Sequence, residues 1–345
     1  MKKAVYFLLL LIVFLQSNCK NEAKPSEATA AMPDSTEVQE PGVRMIPVQT
    51  TAGTFNVWTR KFGDSPKIKV LLLHGGPAMG CEYMECFRDF FPKEGFEFYE
   101  YDQLGCNRSA LPDSTSAEKH DELWEIDRFV EEVEQVRQAL GLTKDNFYIL
   151  GNSWGGMLGM QYALKYQDNM KGLIVSNMMG SFPAYAAYNA KLRSQMRPSL
   201  VDSLAVFEKK GEFSNPDYLS LVIEEYYRKH ICRMKPFPDG FERSMQHANG
   251  HIYEFMQGPS EFVPGGNLAK WDIMAQLKTL HVPTLMIGAK YDTMDPAAME
   301  AMSKLVQKGR YLYCPEGSHL SMWDDQTHYY PGVVQFIKEV DGGKM

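Results

Sequence analysis

Gly151-Asn152-Ser153-Trp154-Gly155-Gly156 sets a serine among glycines in a G-x-S-x-G pattern, between the apolar run FYIL and the helix-like run MLGMQYALKY. A serine hydroxyl is a weak nucleophile until a base takes its proton, and a serine on a sharp strand-to-helix turn is exposed for attack on a carbonyl. Glycines are needed there because side chains would crowd so tight a turn. Roughly 0.1 such matches arise by chance in a chain of this length, so the strand–turn–helix setting carries the argument more than the pattern. The competing reading is a structural turn with a bystander serine.

A nucleophilic serine needs a histidine base, and the base needs an orienting carboxylate; on a strand–turn–helix scaffold the chain order is Ser, then Asp or Glu, then His. The strand-like Thr284–Ile287 runs into Gly288-Ala289-Lys290-Tyr291-Asp292, which puts Asp292 just past a strand end. Asp295 competes, but it precedes Pro296 and reads as the cap of the next helix. Tyr311–Cys314 leads into Pro315-Glu316-Gly317-Ser318-His319, which places His319 on the loop after the last strand; His328 is the alternative, deeper in a helical or irregular segment. The reaction also needs donors for a developing oxyanion. His74-Gly75-Gly76-Pro77 follows the strand-like IKVLLL, so the backbone N–H groups of Gly76 and Trp154 are the candidates.

These residues require elements to hold them at strand ends. Val43–Thr50 and Phe55–Phe62 read as an opening antiparallel pair. Ile68–Leu73, Phe96–Tyr101, Asn146–Leu150, Gly172–Asn177 and Thr284–Ile287 are continuous apolar runs, the mark of parallel strands covered on both faces, and Tyr311–Cys314 is a shorter one. Helical patterns cover Cys81–Phe91, Glu118–Leu140, Gly156–Tyr166 and Val333–Val340. This alternation predicts an α/β fold, a mostly parallel sheet with helices on both faces. Between Ser181 and Trp271 the rhythm breaks into helix-like segments without a buried-strand run, which predicts a helical cap over the strands' carboxyl ends. The expected division is core at 43–180, cap at 181–271 and core again at 272–345.

The chain has 345 residues, 44% apolar and 23% charged, with a net charge of −7. That composition is globular, and the acidity argues against a nucleic-acid partner held by phosphate neutralisation. Lys2 and Lys3 precede an apolar run from Ala4 to Leu15 that is too short to span a bilayer and has the form of a secretory signal over residues 1–18. Cys19 stands where a bacterial lipoprotein carries its lipid, and residues 19–42, rich in Glu, Ala, Ser, Thr and Pro, read as a solvated tether. The expectation is an exported protein, anchored by lipid in the bacterial envelope; the alternative is an ordinary signal peptide with an incidental cysteine and a periplasmic or secreted protein. Lys20 in place of an aspartate points to the outer membrane.

The other cysteines, Cys81, Cys86, Cys106, Cys232 and Cys314, are odd in number and lack a CxxC spacing. Buried free thiols are the preferred reading, with a single disulfide as the alternative. His247 and His251 have a ligand-like spacing, but Asn249-Gly250 between them points to a turn rather than a metal pair. No nucleotide-binding motif is present, and no cofactor or metal is expected.

Together the motifs resemble the proline iminopeptidase family of α/β-hydrolases, in particular its branch of tricorn-interacting aminopeptidases. The carriers are HGGP (His74–Pro77), YDQLGCNRS (Tyr101–Ser109), GNSWGG (Gly151–Gly156), YEFMQGPSEF (Tyr253–Phe262), GNLAKWD (Gly266–Asp272), PTLMIGAKYD (Pro283–Asp292) and GSHLSMW (Gly317–Trp323). The resemblance covers nearly everything after the tether. It implies a serine aminopeptidase releasing N-terminal residues, proline among them, from short peptides, with Ser153, Asp292 and His319 as the triad. It also implies that Glu261, in the GP-x-EF motif, binds the substrate's α-amino group. Four positions depart from the family pattern. Thr293 follows Asp292 where a second amine-binding glutamate is usual, and Asp295 or a cap carboxylate is the candidate replacement. Ala78 and Asn107 replace glycines, and Cys81 replaces a histidine. Thr293 motivates the alternative of an amidase or esterase that needs no free amine; a catalytically silent binding lipoprotein is the third reading.

Overall fold

The computed structural model describes residues 40–112 and 117–345. The signal segment, Cys19 and the tether up to residue 39 lie outside the described residues. Residues 40–345 form one compact unit. Eight strands make its sheet: β1 (Val43–Thr50), β2 (Gly53–Phe62), β3 (Lys69–Leu73), β4 (Glu97–Tyr101), β5 (Phe147–Asn152), β6 (Gly172–Ser176), β7 (Thr284–Ala289) and β8 (Gly309–Cys314). Their order is β1-β2-β4-β3-β5-β6-β7-β8. The first two pair antiparallel, β2 joins β4 antiparallel, and every later pairing is parallel.

The apolar runs form these strands because each must fill two cores. Side chains alternate across a strand. Leu71, Leu73, Ile149, Leu173, Val175 and Met286 therefore enter one core cluster. Val70, Leu72, Tyr148, Leu150, Ile174, Leu285 and Ile287 enter the other. Helices α1 (Ile126–Ala139) and α2 (Trp154–Tyr166) cover the first face, and the C-terminal helix Gln326–Asp341 covers the second.

Between β6 and β7 lie α3 (Phe182–Ser194), α4 (Pro198–Lys210), α5 (Pro216–Val222), a π-helical stretch at Ile223–Ile231, α6 (Asp239–His247) and α7 (Gly250–Gln257). No strand interrupts them among the described residues. After β7 come α8 (Pro296–Leu305), a short α9 (Ser321–Asp324) and α10 (Gln326–Asp341).

Three helix expectations are corrected. Cys81–Phe91 is not an α-helix but a 3₁₀ stretch, Glu82–Asp89, continued by a second one at Phe91–Glu94. Pro92 follows at once, and the tighter winding turns Tyr83, Met84, Cys86 and Phe87 all inward. The expected Glu118–Leu140 helix begins only at Ile126, behind two 3₁₀ turns. In the opposite sense, the helix expected over Val333–Val340 is longer: α10 starts at Gln326 and runs through Pro331 to Asp341. All five cysteines after the tether are buried and free.

Candidate active site

The elbow forms because its glycines let backbone meet backbone. A Cβ on Gly151 would stand 2.0 Å from the Gly155 carbonyl oxygen, and one on Gly155 would stand 1.9 Å from that of Leu73. The turn so made carries Ser153 at φ 58°, ψ −127°, a conformation that L-residues rarely adopt and that costs of order 1–3 kcal/mol. Ser153 N donates to Ser176 O at 3.0 Å, and Ser153 O accepts from Gly156 N and Met157 N. These bonds hold the serine at the head of α2.

Asp292 and His319 arrive from the ends of β7 and β8, both almost wholly buried. His319 Nδ1 lies 2.8 Å from Asp292 Oδ1, which also accepts from Met294 N at 3.1 Å. Asn177 Nδ2 donates to the other oxygen at 2.7 Å. Burial disfavours the imidazolium, but the Asp292 charge and hydrogen bond, joined by Glu261 and Asp324, outweigh it and raise the His319 pKa above the ordinary histidine value. Among the described residues the Ser153 hydroxyl has no hydrogen-bond partner, although it shares a cavity with His319. Such contacts tighten when substrate binds.

No acceptor takes the N–H of Gly76 or Trp154 among the described residues, so both remain available to an oxyanion. One buried side chain joins the two segments that bear them. Gln103 Nε2 donates to His74 O at 3.0 Å, and Gln103 Oε1 accepts from Trp154 Nε1 at 2.8 Å. Its own N–H donates to His74 Nε2 at 3.0 Å. Burial lowers the His74 pKa, which keeps that ring neutral and able to accept.

The cavity of about 350 Å³ beside Ser153 and His319 is roofed by apolar groups between β6 and β7, including Leu219, Ile223 and Met245. Glu261 is the carboxylate on its wall among the described residues. Its oxygens accept from the hydroxyls of Tyr185 and Tyr253, the latter at 2.8 Å. Burial, reinforced by Glu261 itself, holds both phenols well above their ordinary pKa, so they stay protonated donors. No lysine or arginine among the described residues pairs with Glu261. A carboxylate so placed lacks a cation, and an apolar site that holds one charge favours a ligand bearing the opposite one. A smaller recess of about 10 Å³ opens against Ser153, between Gly76, Trp154, Gln257 and Glu261, with methionine walls.

Comparisons with known proteins identify the family. The alpha/beta hydrolase fold model matches residues 69–326. The proline iminopeptidase of Flavobacterium johnsoniae is 59% identical over 302 residues, 87% of this chain and 100% of that protein. That of Elizabethkingia meningoseptica is 59% identical over 86% of this chain and 98% of its own. The chain belongs to the proline iminopeptidase family of α/β hydrolases. The crystal structure of the Mycobacterium smegmatis proline iminopeptidase superposes with a TM-score of 0.76 at 27% identity, covering 88% of this chain and 100% of that one.

Against that family's pattern the departures have structural accounts. Thr293 is fully buried and off the cavity wall, its Oγ1 3.3 Å from His319 Nδ1 and 3.4 Å from Asp292 Oδ1. Asp295 caps α8, accepting from Ala297 N at 3.0 Å, and does not line the cavity. Ala78 and Asn107, the family's glycines, keep glycine-like φ of 60° and 46°. Cys81 lies against Arg108, whose Nη2 donates to the sulfur at 3.2 Å. His328 binds Asp325 and stands apart from the site, while His247 and His251 turn to separate carboxylates, Glu82 and Asp121. Asn249, expected in a turn, caps α7. Sequence reasoning missed Gln103, Asn177, Tyr185, Tyr253 and Gln257. Of these, Gln103, Tyr253 and Gln257 sit inside quoted motifs without an assigned role, and the rest become visible only when distant segments meet.

Proposed function

We propose that this protein is a serine aminopeptidase that releases N-terminal residues, proline foremost, from short peptides. The observation that carries the reading is Glu261, a carboxylate with no lysine or arginine partner among the described residues, on the wall of the cavity that holds Ser153 and His319. A protonated α-amine supplies the missing charge, and a substrate held there presents its first carbonyl to Ser153. Relatives that are 59% identical bear the name proline iminopeptidase.

Ser153 Oγ attacks that carbonyl while His319 Nε2 takes its proton, and the N–H groups of Gly76 and Trp154 receive the oxyanion. His319 then returns the proton to the leaving amine, the C–N bond breaks, and an acyl-enzyme remains on Ser153. Water repeats the sequence and frees the amino acid. Asp292 fixes the imidazole with Nδ1–H toward itself and Nε2 toward the serine. Lipid at Cys19 and the tether would hold the enzyme at the envelope, with outer-membrane placement the reading for Lys20.

The deciding experiment compares prolyl p-nitroanilide with its N-acetyl derivative. Turnover of the free amine alone is expected. Equal turnover of both would sink the aminopeptidase reading and leave an amidase or esterase.

A further inference from the structure

The recess beside Ser153 presents an imbalance. An ammonium group entering it would find one carboxylate, Glu261, while every N–H it brings must find an acceptor or lose hydrogen-bonding free energy on leaving water. Thr293 and Asp295 are off the wall, as described above. Besides the nucleophile Ser153 and Tyr185, whose hydroxyl hydrogen goes to Glu261, the recess is lined by the polar side chain of Gln257, at the end of α7 and 7% exposed.

The proton inventory fixes how that amide points. Tyr185 has one hydroxyl hydrogen, and it goes to Glu261. The phenol oxygen can then only accept, and Gln257 Nε2 donates to it at 3.1 Å. An inverted amide would set two acceptors face to face. Tyr185 therefore holds Gln257 with Nε2 toward itself, and among the described residues Oε1 has no donor. It is also not one of the sealed, unpartnered buried atoms. This leaves Oε1, on a nine-tenths buried residue that lines the recess, as an acceptor with no donor of its own among the described residues.

We propose that Gln257 Oε1 is the second acceptor for the substrate's α-ammonium, beside the Glu261 carboxylate. This rests on the aminopeptidase reading above and extends it to the amine's second N–H. The recess has room for about one water, which is the size of an ammonium nitrogen. The secondary ammonium of an N-terminal proline carries two N–H bonds, one for Glu261 and one for Gln257. A neutral amide in this place supplies the acceptor without adding a second negative charge to a recess walled by methionine. Gly76 and Trp154 border the same recess, so the amine and the carbonyl two bonds away are held together.

The test uses Gln257→Leu and the unbranched Gln257→Met in the full-length protein. Two rates are read: turnover of prolyl p-nitroanilide, and labelling of Ser153 by an alkyl fluorophosphonate, which has no amine. Leaving one ammonium N–H without an acceptor should lower kcat/KM for the anilide about 10- to 100-fold, mainly through KM. Labelling should stay within about twofold of wild type. Unchanged KM for the anilide in a variant that labels normally would overturn the proposal. So would a parallel loss of labelling in both variants, because Gln257 would then support the whole site rather than the amine. Failure of the underlying reading looks different: wild-type protein alone would hydrolyse the N-acetylated substrate as well as the free one.

Discussion

Asp292 Oδ1 lies 2.8 Å from His319 Nδ1, and both side chains are almost completely withdrawn from water. The carboxylate is itself fully engaged, with Asn177 on its outer oxygen and Met294 N on the inner one. The charge that orients the imidazole therefore cannot swing away from it.

The pH dependence of turnover follows from this contact. Burial presses the imidazole toward the neutral form, but Asp292, then Glu261 and Asp324, raise its pKa above the ordinary histidine value. An imidazolium cannot take the Ser153 proton, so kcat/KM should rise with pH through that raised pKa. In Asp292→Asn the opposing charge is gone and burial dominates, so the acidic limb should move to lower pH. The rate itself should fall by roughly 10⁴, since the amide no longer holds the right tautomer. A kcat/KM profile of both proteins between pH 5 and 9, values spanning about two units either side of neutrality, reads both effects. An acidic limb that stays put would show that Asp292 does not set it.

Gln103 should matter to rate more than to affinity. It ties the carbonyl before Gly75-Gly76 to the Trp154 indole, and so sets the spacing of both oxyanion donors without touching substrate. Gln103→Leu should lower kcat by about 10- to 100-fold, a share of what losing one oxyanion donor costs elsewhere. KM should change little. A variant with lower affinity and unchanged kcat would place the effect in the cavity instead.

How much of this was legible in the sequence depends on distance along the chain. The central strands were visible because a strand covered on both faces is a continuous apolar run, as in KVLLL and TLMIGA, while the half-exposed β1, β2 and β8 carry shorter or broken patterns. Ser153, Asp292 and His319 were visible because each follows a strand-like run, Ser153 at once and the other two on the loop beyond it. The 3₁₀ winding at Glu82–Asp89 was not. Its inward-facing Tyr83 hydroxyl accepts from Gly75 N and donates to Asn152, and its N–H is taken by Ser244, partners up to 161 residues away. The same holds for the amine end of the site. Glu261 could be reached through its motif, but Tyr185 is 76 residues before it, and no local pattern announces that meeting.

The nucleophile's backbone should be a source of instability that activity requires. Ser153 holds φ 58°, ψ −127°, and Ser153→Ala keeps that strain while removing the hydroxyl. Ser153→Gly removes both. Relief of the strain should outweigh the extra freedom glycine has in the unfolded chain, leaving Ser153→Gly more stable than Ser153→Ala by about 1 kcal/mol, or about 2 °C in Tm. Both should lose at least about 10⁴ in kcat. Equal melting temperatures would mean that the turn is relaxed.

Two residues further on, the same turn should respond with the opposite sign. Gly155 has no unusual φ to relieve, and what it supplies is space. Its Cα approaches the end of β3 so closely that a Cβ would stand 1.9 Å from Leu73 O and 2.8 Å from His74 O. Both are backbone atoms, which cannot step aside as the end of a side chain can. Gly155→Ala must therefore push α2 off the sheet or displace the segment leading to Gly76. A substitution that helix propensity alone would favour by about 1 kcal/mol should instead destabilise by more than about 4 kcal/mol, the range of severe overpacking. Denaturant melts of Gly155→Ala and Ser153→Gly against wild type would read the two signs together. A stable, active Gly155→Ala would show that the elbow has slack its backbone contacts do not allow.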